Sequence, residues 1–343
     1  MEAVTRDARS EARGLEGAMM PKITDPIPEE IKQELAALDI ALDETIPAKK
    51  LDRNLLIATW NIRAFGNLTK TWQADEDDSP KRDFHALHCI KRIVSRFDVI
   101  AVQEVRANLR ALRYLMELLK PHWSFILSDV TRGAPGNGER MAFLFDTRRV
   151  NLSGLACELV VPQEQLDDIS PDALHQQFAR TPYAVSFLSG NETFILVTLH
   201  VVYGDRPEER VPELKAIAKW LTEWAREIHS WGHNLIALGD FNIDRHGDEL
   251  YEAFTSTGLS VPSDLHAIPR TIFSDPEDPT FYDQIAWFTE EEGDRPALSL
   301  KYVKGGSFAF QEHTLTSLDL SNFELSWRIS DHYPLWAEFW MRE

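Results

Sequence analysis

Apolar positions along this chain switch repeatedly between a run-like pattern and a three-and-four spacing, which marks strands and helices in alternation. NLLIATW (54–60) reads as a buried strand. Phe84, Leu87, Ile90, Ile93, Val94 and Phe97 then fall on one helical face. DVIAVQ (98–103) predicts another buried strand. Leu109, Leu112, Leu115, Met116 and Leu119 mark a second helix, stopped by Pro121. Strands are predicted around 123–130 and 140–146, on either side of the glycine-rich TRGAPGNG. FILVTLHVV (194–202) reads as a strong central strand. Val211, Leu214, Ile217, Ala218, Leu221, Trp224 and Ile228 form the longest helical stripe. Further strands are predicted at 234–239, 281–288, 298–303 and 333–340. The acidic segment 73–79 and the Asp/Pro-rich 274–280 read as exposed connections.

Residues 1–50 have a different texture, rich in charge and poor in aromatics. Within them Ile31, Leu35, Leu38 and Leu42 share one helical face, preceded by Asp25, Pro26 and Pro28. The expectation is a helix packed on the outside of the main domain. The sharper alternative is an arm that offers residues 28–43 to a protein partner. From 51 to 343 neither repeat nor linker divides the chain. It is read as an N-terminal extension, 1–50, followed by one catalytic-sized domain, 51–343.

Composition narrows the class. An apolar share of 43% with 10 Trp predicts a filled core rather than disorder. Two cysteines, Cys89 and Cys157, cannot make a disulfide framework and read as free thiols. The first 20 residues lack the apolar run of a signal peptide, and no stretch reaches transmembrane length. A cytoplasmic setting is expected, in which the sequons at Asn67, Asn151 and Asn191 carry no sugar. A net charge of −19 argues against a protein that coats nucleic acid, while leaving room for an enzyme that touches a few phosphates weakly and salt-sensitively.

The chemistry gathers at strand ends. NLIALGDFNID (234–244) runs from apolar residues to Asp240 and Asn242, two positions apart and therefore on one face of extended chain. Strand 54–60 leads to Asn61, strand 98–103 to Glu104, and the central strand carries His200. Asp283, and then Ser330, Asp331 and His332, follow near the C-terminus. Glu104 and Asp331 with Asn61 are hard oxygen donors suited to Mg²⁺ or Mn²⁺. The histidines suit proton transfer or charge stabilisation at a phosphate. No cysteine–histidine cluster has zinc spacing. The other histidines, His85 and His88 among them, read as surface or helix-face residues, and the tryptophans as core or sheet-packing anchors.

Eight segments, ATWNIRAFG, VIAVQEVR, ERMAFLF, FARTPY, LVTLH, LGDFN, YDQIAWF and ISDHYPLW, stand in an order that resembles the endonuclease/exonuclease/phosphatase family, and its deoxyribonuclease I branch most. The resemblance implies an α/β four-layer sandwich, two mixed β-sheets face to face and flanked by helices. Periodicity alone equally allows a doubly wound parallel sheet. It also implies roles. Glu104, Asn61 and Asp331 would hold the metal. Asp240 and Asn242 would align water and phosphate. His332 would pair with Asp283, and His200, oriented by Glu139, would bond a phosphate oxygen. Whether Asp240 or His332 accepts the proton stays open.

Arg63 and Arg106 match groove-facing positions, and Arg180 a phosphate-contacting one. The implied reaction is metal-dependent in-line hydrolysis of a DNA phosphodiester. The alternative is a small or lipid phosphoester substrate (phosphoinositide, sphingomyelin-like or nucleotide), which the −19 charge favours; a catalytically dead scaffold is the third class. One departure weakens groove binding: the place of an aromatic before the Glu139-Arg140 pair is taken by Asn137 and Gly138.

Overall fold

The computed structural model describes residues 21–131, 138–159, 180–204, 206–228, 234–275, 277–292, 295 and 297–341. Asn137, Phe178, His175 and the histidines at 229 and 233 lie outside them.

Two six-stranded mixed sheets form the frame. The first runs in the order β11 (Lys301–Ser307), β12 (Leu335–Trp340), β1 (Asn54–Phe65), β2 (Val99–Arg106), β4 (Glu139–Asp146), β3 (Trp123–Leu127). The second runs β5 (Asn151–Glu158), β6 (Tyr183–Ser189), β7 (Glu192–His200), β8 (Asn234–Asp240), β10 (Asp283–Phe288), β9 (Leu259–Ser260). β1–β2 and β7–β8 are the parallel pairs.

Alternation along β1 explains the layering. Leu55 and Ile57 join one core cluster with Val185, Phe187, Val197 and Leu238 of the second sheet. Leu56, Ala58 and Trp60 point the other way, into a cluster with α1 (Glu29–Thr45), α2 (Phe84–Val94) and α3 (Arg110–Leu119). A strand covered on both faces has no polar face to show, which is why β1, β2 and β8 read as continuous apolar runs. Leu214, Ile217 and Leu221 of α4 (Val211–Ile228) complete the first cluster, with α5 (Glu249–Thr255) packed beside α4. The result is two mixed sheets flanked by helices.

The apolar face of α1 is covered within the chain. Ile31, Leu35, Leu38 and Leu42 are buried, and Arg92 of α2 with Arg96 just past its end reach Asp39 and Asp43. The face offered above to a partner through residues 28–43 is therefore the face that holds α1 down. His85 and His88 lie on faces of α2, as one half of the expectation had it, but those faces are buried in the same joint rather than at the surface. α2 packs one flank on the sheet and the other under α1, so both flanks of the helix are interior. Trp327 and Trp340 differ the opposite way: at 42% and 54% exposed, neither is a core anchor, and Trp340 ends β12 of the first sheet. Among the described residues no helix is long and apolar enough to cross a membrane, and Cys89 and Cys157 are unpaired.

Candidate active site

Strand register assembles the site before any side chain is considered. His200 ends β7 directly beside Asp240 of β8, and Asp283 of β10 pairs with Asp240 from the other side. Residues opposite one another on neighbouring strands project to the same face. In the first sheet, Asn61 of β1 stands beside Gln103 of β2. Irregular pairing between Asn61 and Phe65, and between Val102 and Val105, bends both strand ends at this point. Ala64, Glu104 and Asn242 all take positive φ there (46°, 59° and 50°). Backbone of this kind is costly for non-glycine residues and concentrates where side chains must be re-aimed.

Asp240 is the hub. Its Oδ2 accepts from Nδ2 of Asn61 at 3.0 Å, which ties the two sheets together. Its Oδ1 accepts from the backbone N–H of Asn242 at 3.0 Å, and the Asn242 amide donates to the carbonyl of Val201. Nε2 of His200 and Nε2 of His332 lie 3.6 Å and 3.8 Å from Asp240 Oδ2. Each imidazole has its own carboxylate behind it. His332 Nδ1 is 2.7 Å from Asp283 Oδ2, and His200 Nδ1 is 3.2 Å from Glu139 Oε2.

Burial and neighbours set the protonation of this cluster. Burial alone would push Asp240 up; the charges of His332 and His200 and the bonds from Asn61 and Asn242 outweigh it and hold the carboxyl below its ordinary value. Burial raises Asp283 to about 6 even though His332 opposes the rise. His332 moves well above its ordinary value: desolvation disfavours its charge, but Asp283 and Asp240 on either side more than restore it. Glu139 is likewise pushed up by burial and pulled down, to about 2, by contacts with His200, Arg180 and Arg106. At neutral pH the centre is an ionised carboxylate between two imidazoles.

Glu104, Asn61 and Asp331 lie on the adjoining rim. Glu104 Oε2 accepts from the backbone N–H of Ala64 at 2.8 Å and from Arg106 at 3.3 Å. Asp331 is 3.4 Å from Arg63. The charges of Glu104 and Asp331 both act on the buried Arg82, so one guanidinium senses both carboxylates. The three residues fit a Mg²⁺-type ion. Oδ1 of Asn61 is buried without a hydrogen-bond partner, and two carboxylates plus an amide oxygen are the hard, incomplete donor set of a cation that keeps several waters. Among the described residues no group of three or more His, Cys, Asp or Glu side chains is placed to hold a metal.

The three predicted arginines sit at the margins, each engaged by a carboxylate. Arg63 donates to Ser326 Oγ at 2.7 Å, faces Asp331 and stacks over Trp327 at 3.9 Å. Arg106 bridges Glu104 and Glu139. Arg180 donates to Glu139 through Nε at 2.7 Å while its Nη1 is buried without a partner.

Other residues brace the site, and three arginines among them, Arg82, Arg210 and Arg270, were not foreseen. Buried Arg82 donates to the carbonyls of Arg63, Ala64, Arg328 and Ile329, clamping the β1 end to the segment before Asp331. Arg270 donates to the carbonyls of Asp283, Leu265 and Ile268. Arg210 holds the Asn242 carbonyl and both oxygens of Asp244. Trp60, expected only to pack, donates its indole N–H to the His332 carbonyl at 2.7 Å. Ser330 ties the two segments, its hydroxyl donating to the Asn61 carbonyl and accepting from the Arg63 N–H.

The Endonuclease/Exonuclease/phosphatase family profile matches residues 58–332. Deoxyribonuclease-1 of Bos taurus is 26% identical over 294 residues, covering 83% of this chain and 92% of that protein. A deoxyribonuclease of Thioalkalivibrio sp. is 28% identical over 218 residues, 62% of this chain but only 52% of the relative's length. Among solved structures, a Bacteroides thetaiotaomicron mannosyl-6-phosphatase superposes with a TM-score of 0.54 at 18% identity, over 83% of this chain and 99% of that one. The human Nocturnin catalytic domain superposes at 0.53 and 16%, over 86% and 97%. Those two likenesses speak to fold, and the profile match across most of the chain speaks to descent. The chain belongs to the endonuclease/exonuclease/phosphatase family.

Proposed function

We propose that this protein is a divalent-metal-dependent phosphodiesterase that nicks DNA. The observation that carries the reading is the placement of two imidazoles, each backed by a carboxylate, 3.6 Å and 3.8 Å from the same oxygen of the ionised Asp240. In-line hydrolysis needs a group to align water and cations to meet charge growing on the phosphate. Asp240 with Asn242 would align the water. His332, held protonated by Asp283 and Asp240, and His200, steadied by Glu139, would face the phosphate oxygens. Arg180, with an unpartnered Nη1, would donate to a neighbouring phosphate. Glu104, Asn61 and Asp331 would hold Mg²⁺ or Mn²⁺, which supplies Lewis-acid polarisation of a phosphate oxygen when bound.

DNA as the substrate is supported by the two relatives named deoxyribonuclease and by Arg63 and Arg106 at the rim. One observation favours a second reading, hydrolysis of a small phosphoester. Arg63 and Arg106 already face Asp331, Glu104 and Glu139, in a chain of charge −19. The test is relaxation of supercoiled plasmid with Mg²⁺ or Mn²⁺. EDTA should abolish it, and His200→Ala or His332→Ala should lower the rate by about 10²–10⁴-fold. No cleavage across divalent metals and pH rejects the reading. Headgroup or phosphate release without nicking selects the second.

A further inference from the structure

A cleft of about 470 Å³ opens beside the catalytic cluster, lined by Tyr203, Arg210, Asp244, Arg245, Thr280 and Tyr282 among others. It adjoins the chemistry through two short covalent steps. Tyr282 precedes Asp283 and its ring centroid is 6.0 Å from that of His332. Tyr203 follows His200 by three residues, and Arg210 holds the Asn242 carbonyl.

Tyr203 is the unusual member. It is 57% exposed, yet its ring is fixed. The guanidinium of Arg210 lies 4.9 Å from its centroid, and Arg210 is itself immobilised by both oxygens of Asp244. The ring of Tyr282 meets Tyr203 edge-on at 6.1 Å and 85°. An exposed aromatic normally loses side-chain freedom when a ligand stacks on it. A ring already braced from two directions has lost that freedom on folding.

We propose that this cleft takes a nucleobase of the substrate strand, stacked on Tyr203, next to the phosphate held by the histidines. The inference rests on the phosphodiesterase reading and deepens it. The volume falls in the range of sites for small ligands and suits one nucleoside. The charge balance points the same way. A net charge of −19 works against holding a polyanion by charge, whereas stacking on a neutral ring is sequence-tolerant and releases no counterions of its own. Inside the cleft Arg210 is matched by Asp244 and Arg245 by Asp278, so the lining offers little net charge and selects for an uncharged planar group. Thr280, whose hydroxyl is hydrogen-bonded to Ser274 Oγ at 2.8 Å, lines the wall. Tyr203 also provides an aromatic surface in a chain whose sequence has Asn137 and Gly138 before the Glu139-Arg140 pair.

Calorimetric titration of the full chain with thymidine 5′-monophosphate and, separately, with inorganic phosphate tests this without relying on turnover. The nucleotide should bind at least about tenfold more tightly than phosphate. Tyr203→Ala should remove that margin, and Tyr203→Phe should keep it, since the ring and not the hydroxyl carries the stack. Circular dichroism of both variants checks that they fold; Tyr203→Phe reports on the ring even if the alanine variant is perturbed. Equal affinity for nucleotide and phosphate in the wild type, or a margin that survives Tyr203→Ala, overturns the proposal. Plasmid relaxation by the same preparation separates the two failures. Nicking with no nucleotide margin sinks the cleft alone, and a margin without any phosphodiester cleavage sinks the reading it rests on.

Discussion

Gly239 shows how one residue shapes the site. Its φ is 146°, and a Cβ there would stand 2.1 Å from the Leu199 carbonyl oxygen across the β7–β8 pair. The clash is with backbone, so no rotamer relieves it, and the next residue is Asp240. Gly239→Ala should therefore cost more than about 3 kcal/mol and displace Asp240 from His200. Thermal unfolding should show a drop of several degrees; an alanine variant that melts with the wild type would show that the two strands have slack. At this scale the sequence was readable where a polar residue ends an apolar run, as with Asn61, Glu104, Asp240 and Asn242. It was silent on Arg82, Arg210 and Arg270. Those side chains serve backbone carbonyls, and a carbonyl has no letter in the sequence.

Among elements, the joint between α1 and α2 separates folding from chemistry. The α1 stripe was legible because four apolar residues share one face, but the same stripe fits burial in cis or in a partner, and only the packing decides. β5, whose residues alternate between exposed and half-buried, has no apolar run to betray it, and α5 and α6 (Asn322–Arg328) span less than two full periods. Within the joint, His88 is buried beside Trp72 with its Nε2 unpartnered, and burial lowers it to about 4. Between about 6.5 and 4 the unfolded chain binds a proton at this position that the folded chain refuses. Stability is therefore fully present above pH 6.5 and falls as pH drops through that window. Asp83, the cap of the same helix, has its carboxyl raised by burial to about 6 and contributes with the opposite sign. A wild-type curve mixes the two, and the difference from His88→Phe isolates the histidine. The phenylalanine variant should lose on the order of 2 kcal/mol less than wild type between pH 7 and pH 4.5 in urea unfolding. Parallel curves would mean that His88 takes its proton in the folded state.

For the whole molecule, apolar runs could not choose between a doubly wound sheet and two stacked sheets, because strands covered on both faces look alike in either. What distinguishes the arrangements is which strands pair, and the family-ordered motifs carried that information where periodicity did not. The net charge is a property of the same scale, and it bounds how the protein meets a polymer. Affinity for duplex DNA falls with salt in proportion to the phosphates neutralised, with a logarithmic slope of about −0.9 per contact. Arg63, Arg106 and Arg180 are the arginines placed to meet phosphates beyond the one at the histidines, which caps their share of the slope near about −2.7. A fourfold rise in NaCl, from 50 to 200 mM, should then reduce kcat/KM on plasmid through them by roughly fortyfold at most. Arg63 and Arg106 are already matched by Asp331, Glu104 and Glu139. Binding DNA therefore exchanges one anion for another, and the measured slope should be shallower than that cap. Hydrolysis of a mononucleotide diester, which touches one phosphate, should change by much less over the same range. A plasmid slope of −6 or steeper would require about seven phosphate contacts, more than these three arginines make, and would place further DNA contacts elsewhere on the chain.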